Sequence, residues 1–262
     1  MSTRDDSLGG PLRFSIVTTT WDRLPLLRQN VASVQCQEYA SYEQIFVDGG
    51  SVDGTLEWLR TLPGSIKVLE NVRGGIARAM NEGLKAATGD VMLHLHSDDY
   101  LPHPRVLARV AAFFKETGCE WMYGRAMTDV GGGWTPQADE FPNYTYARLL
   151  QGDFIPHPAT YVRRRLFERV GYFDEKLKLA MDYDMWLRIV RLERPRWLRE
   201  FLAVSRAHRG SATYSNLLAS MQEEYLVRKR YLTANPFQRL NHLVRYLRRK
   251  YRLEQKLLKE HA

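Results

Sequence analysis

The stretch VMLHLHSDDY, residues 91–100, decides the fold, because a hydrophobic run ends there in two adjacent carboxylates, Asp98 and Asp99. The run lacks strict alternation of apolar and polar residues, which predicts a strand buried on both faces, as in a parallel sheet. Open α/β folds bind ligands at the carboxyl edge of such a sheet. Two hard oxygen ligands at that edge suit Mg²⁺ or Mn²⁺, and such an ion usually also holds a diphosphate. The alternative is a strand followed by an ordinary acidic turn.

The rest of the N-terminal half repeats a strand–turn–helix pattern. Residues 14–23 form a β-rich run that leads through a polar turn into a helical pattern, and residues 42–62 repeat that order. The second strand ends in Asp48, after which two glycines let the chain turn closely. A third strand is expected at residues 66–70, followed by a helix within residues 74–90. This alternation predicts an α/β sandwich around a mainly parallel sheet.

A series of motifs carries a resemblance to a known family. In order along the chain they are VDGGSVDGT, GGIARAMNEGLKAATGD, LHSDD, FIPHPATYVRRRLFERVGYFDE, AMDYDMWLRI and AVSRAHRGSATYS. Each is short, but their order and spacing resemble glycosyltransferase family 2 on the GT-A fold, over roughly residues 13–215. The resemblance implies a Rossmann-like α/β/α sandwich with a mainly parallel central sheet. It divides the chain into a flexible N-terminal arm (1–12), a GT-A domain (13–215) and a helical basic C-terminal extension (216–262).

The resemblance also implies roles for residues on the donor side. Thr20 and Trp21 match a threonine–aromatic pair beside the nucleotide base, with Trp21 in place of a more usual tyrosine. Asp48 matches the acid that hydrogen-bonds the base or ribose, although Gly49 stands where the family often has a second acid. Arg78 matches a basic position near the donor phosphates. From the residues alone, a turn cap is the favoured interpretation of Asp48, and Arg78 is equally consistent with an ordinary solvated helix charge.

Four further residues match the catalytic and metal-binding positions of the family. Asp98 and Asp99 match the metal-binding acid motif, with Asp99 as the metal ligand and Asp98 acting directly or through ribose or water. Asp182 matches the acid usually assigned as catalytic base. A glutamate precedes that acid in many relatives but not here, so Asp184 stays an alternative base. His208 resembles a histidine that closes over the donor diphosphate or the metal in some members.

The implied reaction explains why these residue types are needed. An inverting transfer is a single in-line displacement at the sugar C1, so the attacking hydroxyl loses its proton to a carboxylate within hydrogen-bond reach, here Asp182. The nucleoside diphosphate leaves with growing negative charge, which Mn²⁺ or Mg²⁺ held by Asp99 would offset. We therefore expect an inverting, metal-dependent transferase that uses a nucleotide-sugar, with UDP-sugars as the expected class.

Three histidines lie among the motifs. His94 and His96 alternate on the strand before the acids, and in a buried strand such residues are predicted to be core histidines rather than a metal cluster. His157 stands between two prolines. It is either a structural loop residue or a contact on the acceptor side or the diphosphate side.

Composition limits the compartment and the class of protein. A chain of 262 residues can bury a full core, and its two cysteines fit a reducing cytoplasm rather than a disulfide framework. The first residues show no signal-peptide pattern, and no apolar run approaches the length of a transmembrane helix. We expect a cytoplasmic protein. The net charge is +8, but the basic excess lies in the tail without a nucleic-acid motif, so no nucleic-acid partner is expected.

The basic tail suggests a surface partner instead. Lys and Arg are concentrated in residues 225–259, and apolar residues recur there at helical spacing: Leu240, Leu243, Val244, Leu247, Tyr251 and Leu258. A basic amphipathic helix is predicted to lie on an anionic membrane, and the alternative is a helix packed on the domain with a solvated basic face. Many bacterial members of the resembled family act on sugars linked to a membrane polyprenyl diphosphate. The resemblance therefore implies a lipid-linked or polysaccharide glycan acceptor and a peripheral position at the inner face of the plasma membrane.

Two other function classes compete with sugar transfer. A nucleotide-sugar-forming nucleotidyltransferase also uses an α/β fold, acids and Mg²⁺, but this chain lacks a glycine-rich basic loop near its N-terminus that would grip a triphosphate. The second class is a catalytically inactive sugar-binding homologue. The presence of all four acids argues against it: Asp48, Asp98, Asp99 and Asp182.

Overall fold

A computed structural model describes residues 10–137, 144–206 and 216–260. Its strands are β1 (Phe14–Thr20), β2 (Tyr42–Asp48), β3 (Ile66–Leu69), β4 (Val91–His94), β5 (Asp99–Tyr100), β6 (Trp121–Asp129), β7 (Trp134–Pro136), β8 (Thr160–Arg163) and β9 (Arg196–Arg206). Its helices are α1 (Leu24–Gln35), α2 (Thr55–Leu59), α3 (Ile76–Ala86), α4 (Val106–Thr117), α5 (Tyr146–Leu149), α6 (Arg164–Val170), α7 (Met181–Ile189), α8 (Leu217–Tyr231) and α9 (Pro236–Glu260), with a short 3-10 helix at His157–Ala159. The strands form one sheet in the order β3-β2-β1-β4-β8-β6-β9-β5, and β7 pairs with β6.

The sheet is parallel where the repeated strand–turn–helix units predict it to be. Strands β3, β2, β1 and β4 all run in the same direction. Beyond them β8 is antiparallel to both β4 and β6, while β9 runs parallel to β6 and antiparallel to β5. The α/β architecture predicted from the sequence is therefore confirmed, with a mixed sheet in its second half.

The stretch that ends in the two acids runs alongside β1. Regular β4 spans only four residues, yet the backbone N–H of Leu95 donates to Val17 O at 3.0 Å and that of Ser97 to Thr19 O at 3.2 Å. The parallel pairing thus continues almost to Asp98. Asp99 then opens β5, which pairs with β9 at Ser205. The acidic pair is held between the carboxyl end of β1 and strand β9.

Helices cover both faces of the sheet because alternate side chains of each strand point to opposite sides. On β1, Val17 belongs to the larger core cluster with helices α3, α6 and α7. Phe14 and Ile16 belong to the other cluster, with α4. Trp121 and Trp186, both buried, stack in the larger cluster with ring centroids 5.6 Å apart. The two clusters give the predicted sandwich of three layers.

The C-terminal helices differ in how they pack. Val227 of α8 is fully buried in the larger core cluster, and Arg228 beside it is 1% exposed. The first part of the expected extension therefore packs against the core of the domain. Helix α9 joins α8 through a stack of Tyr246 on Tyr225, with centroids 4.3 Å apart. None of the described helices combines the length and the apolar character needed to cross a bilayer.

Candidate active site

A cavity of about 800 Å³ opens beside the carboxyl end of β1. Seven of the residues singled out from the sequence line it: Thr20, Trp21, His96, Asp98, Asp99, His157 and Asp182. They come from the end of β1, the segment that leads into the acidic turn, the 3-10 helix and the first turn of α7, which are far apart in the chain. Two others, Asp48 and Arg78, are outside its lining, and His208 lies outside the described residues.

Asp99 is a buried carboxyl that faces the cavity. Asp99 is only 6% exposed. Burial and the neighbouring charge of Asp98 raise the pKa of its carboxyl to about 8, although the Ser205 hydroxyl and Arg206 act in the opposite direction. Two adjacent acids in such surroundings have the chemistry of a site for a hard divalent cation. Within the described parts of the chain no group of three or more His, Cys, Asp or Glu residues is arranged to hold a metal.

Asp182 stands at the start of α7 with its side chain 26% exposed. One carboxylate oxygen accepts the backbone N–H of Tyr183 at 2.8 Å, and the other lies 3.9 Å from Nδ1 of His157. Burial, helped by the charge of Glu223, raises the pKa of Asp182 to about 6. A carboxylate with that pKa is largely ionised at neutral pH and binds a proton more strongly than an ordinary aspartate, as a general base requires.

Asp184, the alternative base, is engaged elsewhere. It is 3% exposed and does not line the cavity. Its carboxylate accepts hydrogen bonds from Arg188 Nε at 3.0 Å, Arg230 Nη1 at 3.3 Å and the Tyr231 hydroxyl at 2.8 Å. These contacts tie α7 to α8, so the geometry favours Asp182 over Asp184 as the group that meets a substrate.

Asp48 holds the turn that follows β2. Its Oδ1 accepts the backbone N–H groups of Gly50 and Ser51 at 2.8 and 2.9 Å, and its Oδ2 accepts the Ser51 hydroxyl at 2.5 Å. Gly50 has φ of 98°, a left-handed conformation that favours glycine. Asp48 itself is fully buried. The turn-capping interpretation describes these contacts, and a direct bond from Asp48 to a nucleotide stays a prediction.

Two departures from the family pattern are in contact with each other. Trp21 is 67% exposed at the cavity and presents its indole to solvent. A Cβ atom placed on Gly49 would lie 3.2 Å from Cβ and Cγ of Trp21. The absence of a side chain at Gly49 therefore leaves room for the base of the Trp21 side chain.

The positive charge of the cavity wall comes from residues that the sequence did not single out. Arg78 is exposed on α3, where its side chain covers Gly74. The lining contains Arg73, Lys178 and Arg206 instead. Arg73 lies in the glycine-flanked turn just before α3, and this turn was the available signal. Arg206 lies in the motif AVSRAHRGSATYS, but only His208 of that motif was singled out, and Lys178 belongs to none of the quoted motifs.

Burial lowers the pKa of the three histidines that lie among the motifs, and two of these residues face the cavity. His94 is buried in the core, as predicted, and burial lowers its pKa well below the ordinary value. The rings of His96 and His157 stack at 5.2 Å, and burial lowers their pKa values to about 3 and about 4. Neither ring nitrogen of His157 has a hydrogen-bond partner among the described residues. It lines the cavity next to Asp182 and can bond a ligand hydroxyl without bringing charge.

Comparison with known proteins identifies relatives for most of the chain. The family described as Glycosyl transferase family 2 matches residues 15–171. A PGL/p-HBAD biosynthesis glycosyltransferase of Mycobacterium bovis is 32% identical over 181 residues, which are 67% of this chain and 68% of the relative. Chondroitin synthase of Pasteurella multocida is 25% identical over 223 residues, covering 78% of this chain and 23% of the synthase.

Solved structures share the fold. S. aureus TarS 1–349 in complex with UDP-GlcNAc superposes with a TM-score of 0.71 at 21% identity, covering 90% of this chain and 72% of that one. The mannosyltransferase PcManGT from Pyrobaculum calidifontis, in complex with GDP-Man and Mn²⁺, gives a TM-score of 0.64 at 20% identity, covering 91% and 70%. At these identities the likeness shows the fold, which is the expected GT-A fold.

Proposed function

This chain belongs to glycosyl transferase family 2, and we propose on that premise that it is an inverting, metal-dependent transferase that uses a UDP-sugar. The observation that supports this reaction most is the meeting of two kinds of acid in one cavity. Asp98 and Asp99 have the character of metal ligands, and Asp182 has the pKa of a general base. The UDP-GlcNAc complex of TarS supports the donor class, since that neighbour binds its donor on the same fold.

The chain's own residues divide the work of the displacement. Asp182 takes the proton of the acceptor hydroxyl as that oxygen bonds to C1 of the sugar, while the bond from C1 to the donor diphosphate breaks and the diphosphate keeps the electron pair. Lys178, Arg73 and Arg206 supply positive charge on the cavity wall for the leaving group. The new bond forms on the face opposite the leaving group, so an α-linked donor gives a β-linked product.

The metal site is proposed on the acids that face the cavity. Asp99 would hold Mn²⁺ or Mg²⁺, with Asp98 beside it directly or through ribose or water, and the ion would offset charge on the diphosphate. The Mn²⁺ complex of PcManGT supports the use of a divalent ion on this fold. His208 as a further contact to the metal or diphosphate stays a proposal outside the described residues.

Donor hydrolysis across a panel of nucleotide-sugars tests the proposed function. Slow hydrolysis needs no acceptor, and we expect release of UDP from at least one UDP-sugar only when Mn²⁺ or Mg²⁺ is present. NMR of the transferred sugar then determines the anomeric outcome. Release of inorganic diphosphate from a nucleoside triphosphate and a sugar phosphate would identify a nucleotidyltransferase instead. Binding of UDP-sugars without any turnover would identify an inactive homologue.

Replacing Trp21 by alanine is expected to weaken UDP binding. An exposed indole at the mouth of the cavity can stack on the base, and such stacking contributes about 1–3 kcal/mol, or roughly one to two orders of magnitude in Kd. Calorimetry with UDP and Mn²⁺ measures the change. Tyr172→Ala is the control, because Tyr172 is an aromatic residue that is 47% exposed but does not line the cavity. Equal losses in both variants would show that Trp21 is not a base platform.

The acceptor and the location are proposals of the same kind. We expect a glycan acceptor, either a polyprenyl-diphosphate-linked sugar or a growing polysaccharide. The name of one relative, chondroitin synthase, supports an acceptor of polysaccharide type. With such acceptors we expect a cytoplasmic enzyme at the inner face of the plasma membrane.

A further inference from the structure

Helix α9 carries an apolar stripe that points away from the protein. At 100° per residue the apolar positions of the helix fall on one face. The large side chains of that face are exposed by 37% to 81%: Phe237, Leu240, Leu243, Leu247, Tyr251 and Leu258. Exposed apolar residues scattered singly are ordinary, but a stripe from Phe237 to Tyr251 on one helix face indicates a binding surface. Glu254, which lies 3.7 Å from Lys250, interrupts the stripe before Leu258.

The other face of α9 already holds it to the protein. His242 is 8% exposed, and Arg245 donates to Oε1 of Gln151 at 3.0 Å. Tyr246 stacks on Tyr225 of α8. The sequence left two alternatives open, a helix packed on the domain or a helix free for a surface partner. The two alternatives concern different faces of α9, because one face packs on the domain and the apolar stripe on the other face is exposed.

Basic side chains border the stripe on both sides. Arg248 and Arg252 follow one edge of it, and Arg239 and Lys250 follow the other, all four exposed. An apolar stripe with cations along both edges matches a bilayer surface whose headgroups are negative and whose interior is apolar. The tyrosine in the stripe, Tyr251, suits the boundary between the two regions because it has an apolar ring and a polar tip.

A second copy of the chain fits this surface less well. The stripe repeats at intervals of three and four residues, as in a two-helix coiled coil. In a parallel pair of this kind Glu254 would face the same acid on the partner helix inside the seam. Arg248 and Lys250 would flank the seam opposite Leu243 and Gln255, with no acid to meet them. Charge complementarity therefore favours an anionic partner over a copy of the same helix.

We propose that α9 docks on an anionic lipid bilayer through its apolar stripe, with the bordering arginines and lysine contacting the headgroups. The surface does not depend on the sugar chemistry of the cavity. No residue proposed for the metal, the nucleotide or the base lies on α9.

Co-sedimentation of the full-length protein with lipid vesicles tests the proposal. Vesicles of phosphatidylcholine mixed with phosphatidylglycerol should sediment the protein at low salt, and vesicles of phosphatidylcholine alone should not. High salt should release much of the bound protein, since it screens the headgroup attraction. Leu240→Glu/Leu247→Glu should lose most of the binding. The control Val130→Glu/Leu192→Glu places the same two charges on exposed apolar residues elsewhere and should bind as the wild type does.

Several results would overturn the proposal. Equal sedimentation with neutral and anionic vesicles, no sedimentation with either, or unchanged binding of Leu240→Glu/Leu247→Glu would each do so. Light scattering that shows a dimer abolished by the same pair of substitutions would assign the stripe to a second copy. Circular dichroism of each variant confirms that the helix content is retained, so a loss of binding is not a loss of folding.

A different observation points to a positioning residue for the proposed reaction. Glu223 on α8 accepts backbone N–H groups from three consecutive residues, Lys178 at 3.1 Å, Leu179 at 2.6 Å and Ala180 at 2.7 Å. These residues immediately precede α7, where amide groups have no intrahelical acceptor. Asp182 follows two residues later. One carboxylate from α8 thus fixes the backbone that presents the proposed base to the cavity.

We infer that Glu223 positions Asp182 for proton transfer, an inference that rests on the proposed function. Its negative charge has a second effect, because it adds to burial in raising the pKa of Asp182. The other charged or titratable groups around Asp182 are Asp153, His157, Lys178 and Glu224. Glu223 differs from these groups because its carboxylate accepts hydrogen bonds from the backbone of the segment that leads into α7.

Two substitutions separate positioning from folding. Glu223→Ala should lower kcat roughly ten- to a hundredfold while the donor KM changes little, because a misplaced base slows the transition state more than it weakens donor binding. Glu223→Gln keeps one acceptor oxygen but removes the charge, so the acid limb of the kcat–pH profile should move to lower pH. Glu168→Gln is the control, since Glu168 is exposed and pairs with Arg164.

An unchanged kcat in Glu223→Ala together with an unshifted acid limb in Glu223→Gln would refute the inference. A folded wild-type protein that releases UDP from no donor would instead reject the proposed function. The two failures are therefore distinguishable.

Discussion

Replacement of Asp99 by alanine is expected to abolish sugar transfer and to remove the divalent-ion-dependent part of UDP binding. The acid lies in the cavity wall at the end of the pairing with β1, where its buried carboxyl has a pKa of about 8 without a cation. A bound divalent ion would hold it ionised and join it to the donor diphosphate. Without this ligand the leaving group loses its main source of charge compensation. Calorimetric titration of UDP in the presence and absence of Mn²⁺ measures the effect.

The stability of an isosteric variant distinguishes a ligand from a structural residue. A carboxyl whose folded pKa is raised contributes stability at low pH that is lost as the pH rises through its unfolded and then its folded pKa. In metal-free protein, Asp99→Asn should therefore be at least as stable as the wild type near neutral pH, while UDP affinity no longer responds to Mn²⁺. A folded Asp99→Asn protein with wild-type Mn²⁺-dependent affinity would contradict the metal role. Asp90→Asn, a change of an exposed acid outside the cavity lining, serves as the control.

The sequence predicts the acidic edge of the fold because that edge follows from strand direction. Hydrophobic runs that end in polar residues indicate parallel strands, and parallel strands place their carboxyl ends at one edge. The register pairs Thr20 directly with Asp48, and the continued pairing brings Asp98 beside them. Local pattern and sheet geometry are sufficient for this half of the site.

The remaining half depends on contacts that no local pattern contains. Asp182 reaches the cavity from a helix more than 80 residues further along the chain, and family resemblance rather than spacing identified it. Lys178 lines the cavity and belongs to the segment whose backbone N–H groups are bonded by Glu223 of α8. Isolated exposed cations such as Arg73 give no periodic signal. At Asp48 the local turn competes with a ligand for the same carboxylate, and sequence cannot decide between two partners for one group.

Replacement of Asp182 by asparagine is expected to leave UDP and donor affinity near the wild-type value and to lower kcat by roughly 10²–10⁴-fold. Asparagine keeps the shape of the side chain and an oxygen that accepts the Tyr183 N–H, so the start of α7 is preserved. A base acts on the acceptor proton in the transition state and adds little to ground-state binding of the donor. Donor affinity by calorimetry and single-turnover transfer rates on the same preparation separate the two effects.

The pH profile and the neighbouring acid complete the test of Asp182. A base must be deprotonated to act, so wild-type kcat at saturating metal should rise tenfold per pH unit below about pH 6 and level off above it, as the raised pKa of Asp182 requires. The residual activity of Asp182→Asn should lack this limb. Asp184→Asn should instead lower the thermal midpoint, because it removes a buried charge that pairs with Arg188 and Arg230. If Asp184→Asn loses turnover at unchanged stability while Asp182→Asn turns over normally, the base is Asp184. That outcome would contradict the assignment drawn from the cavity, which Asp182 lines and Asp184 does not.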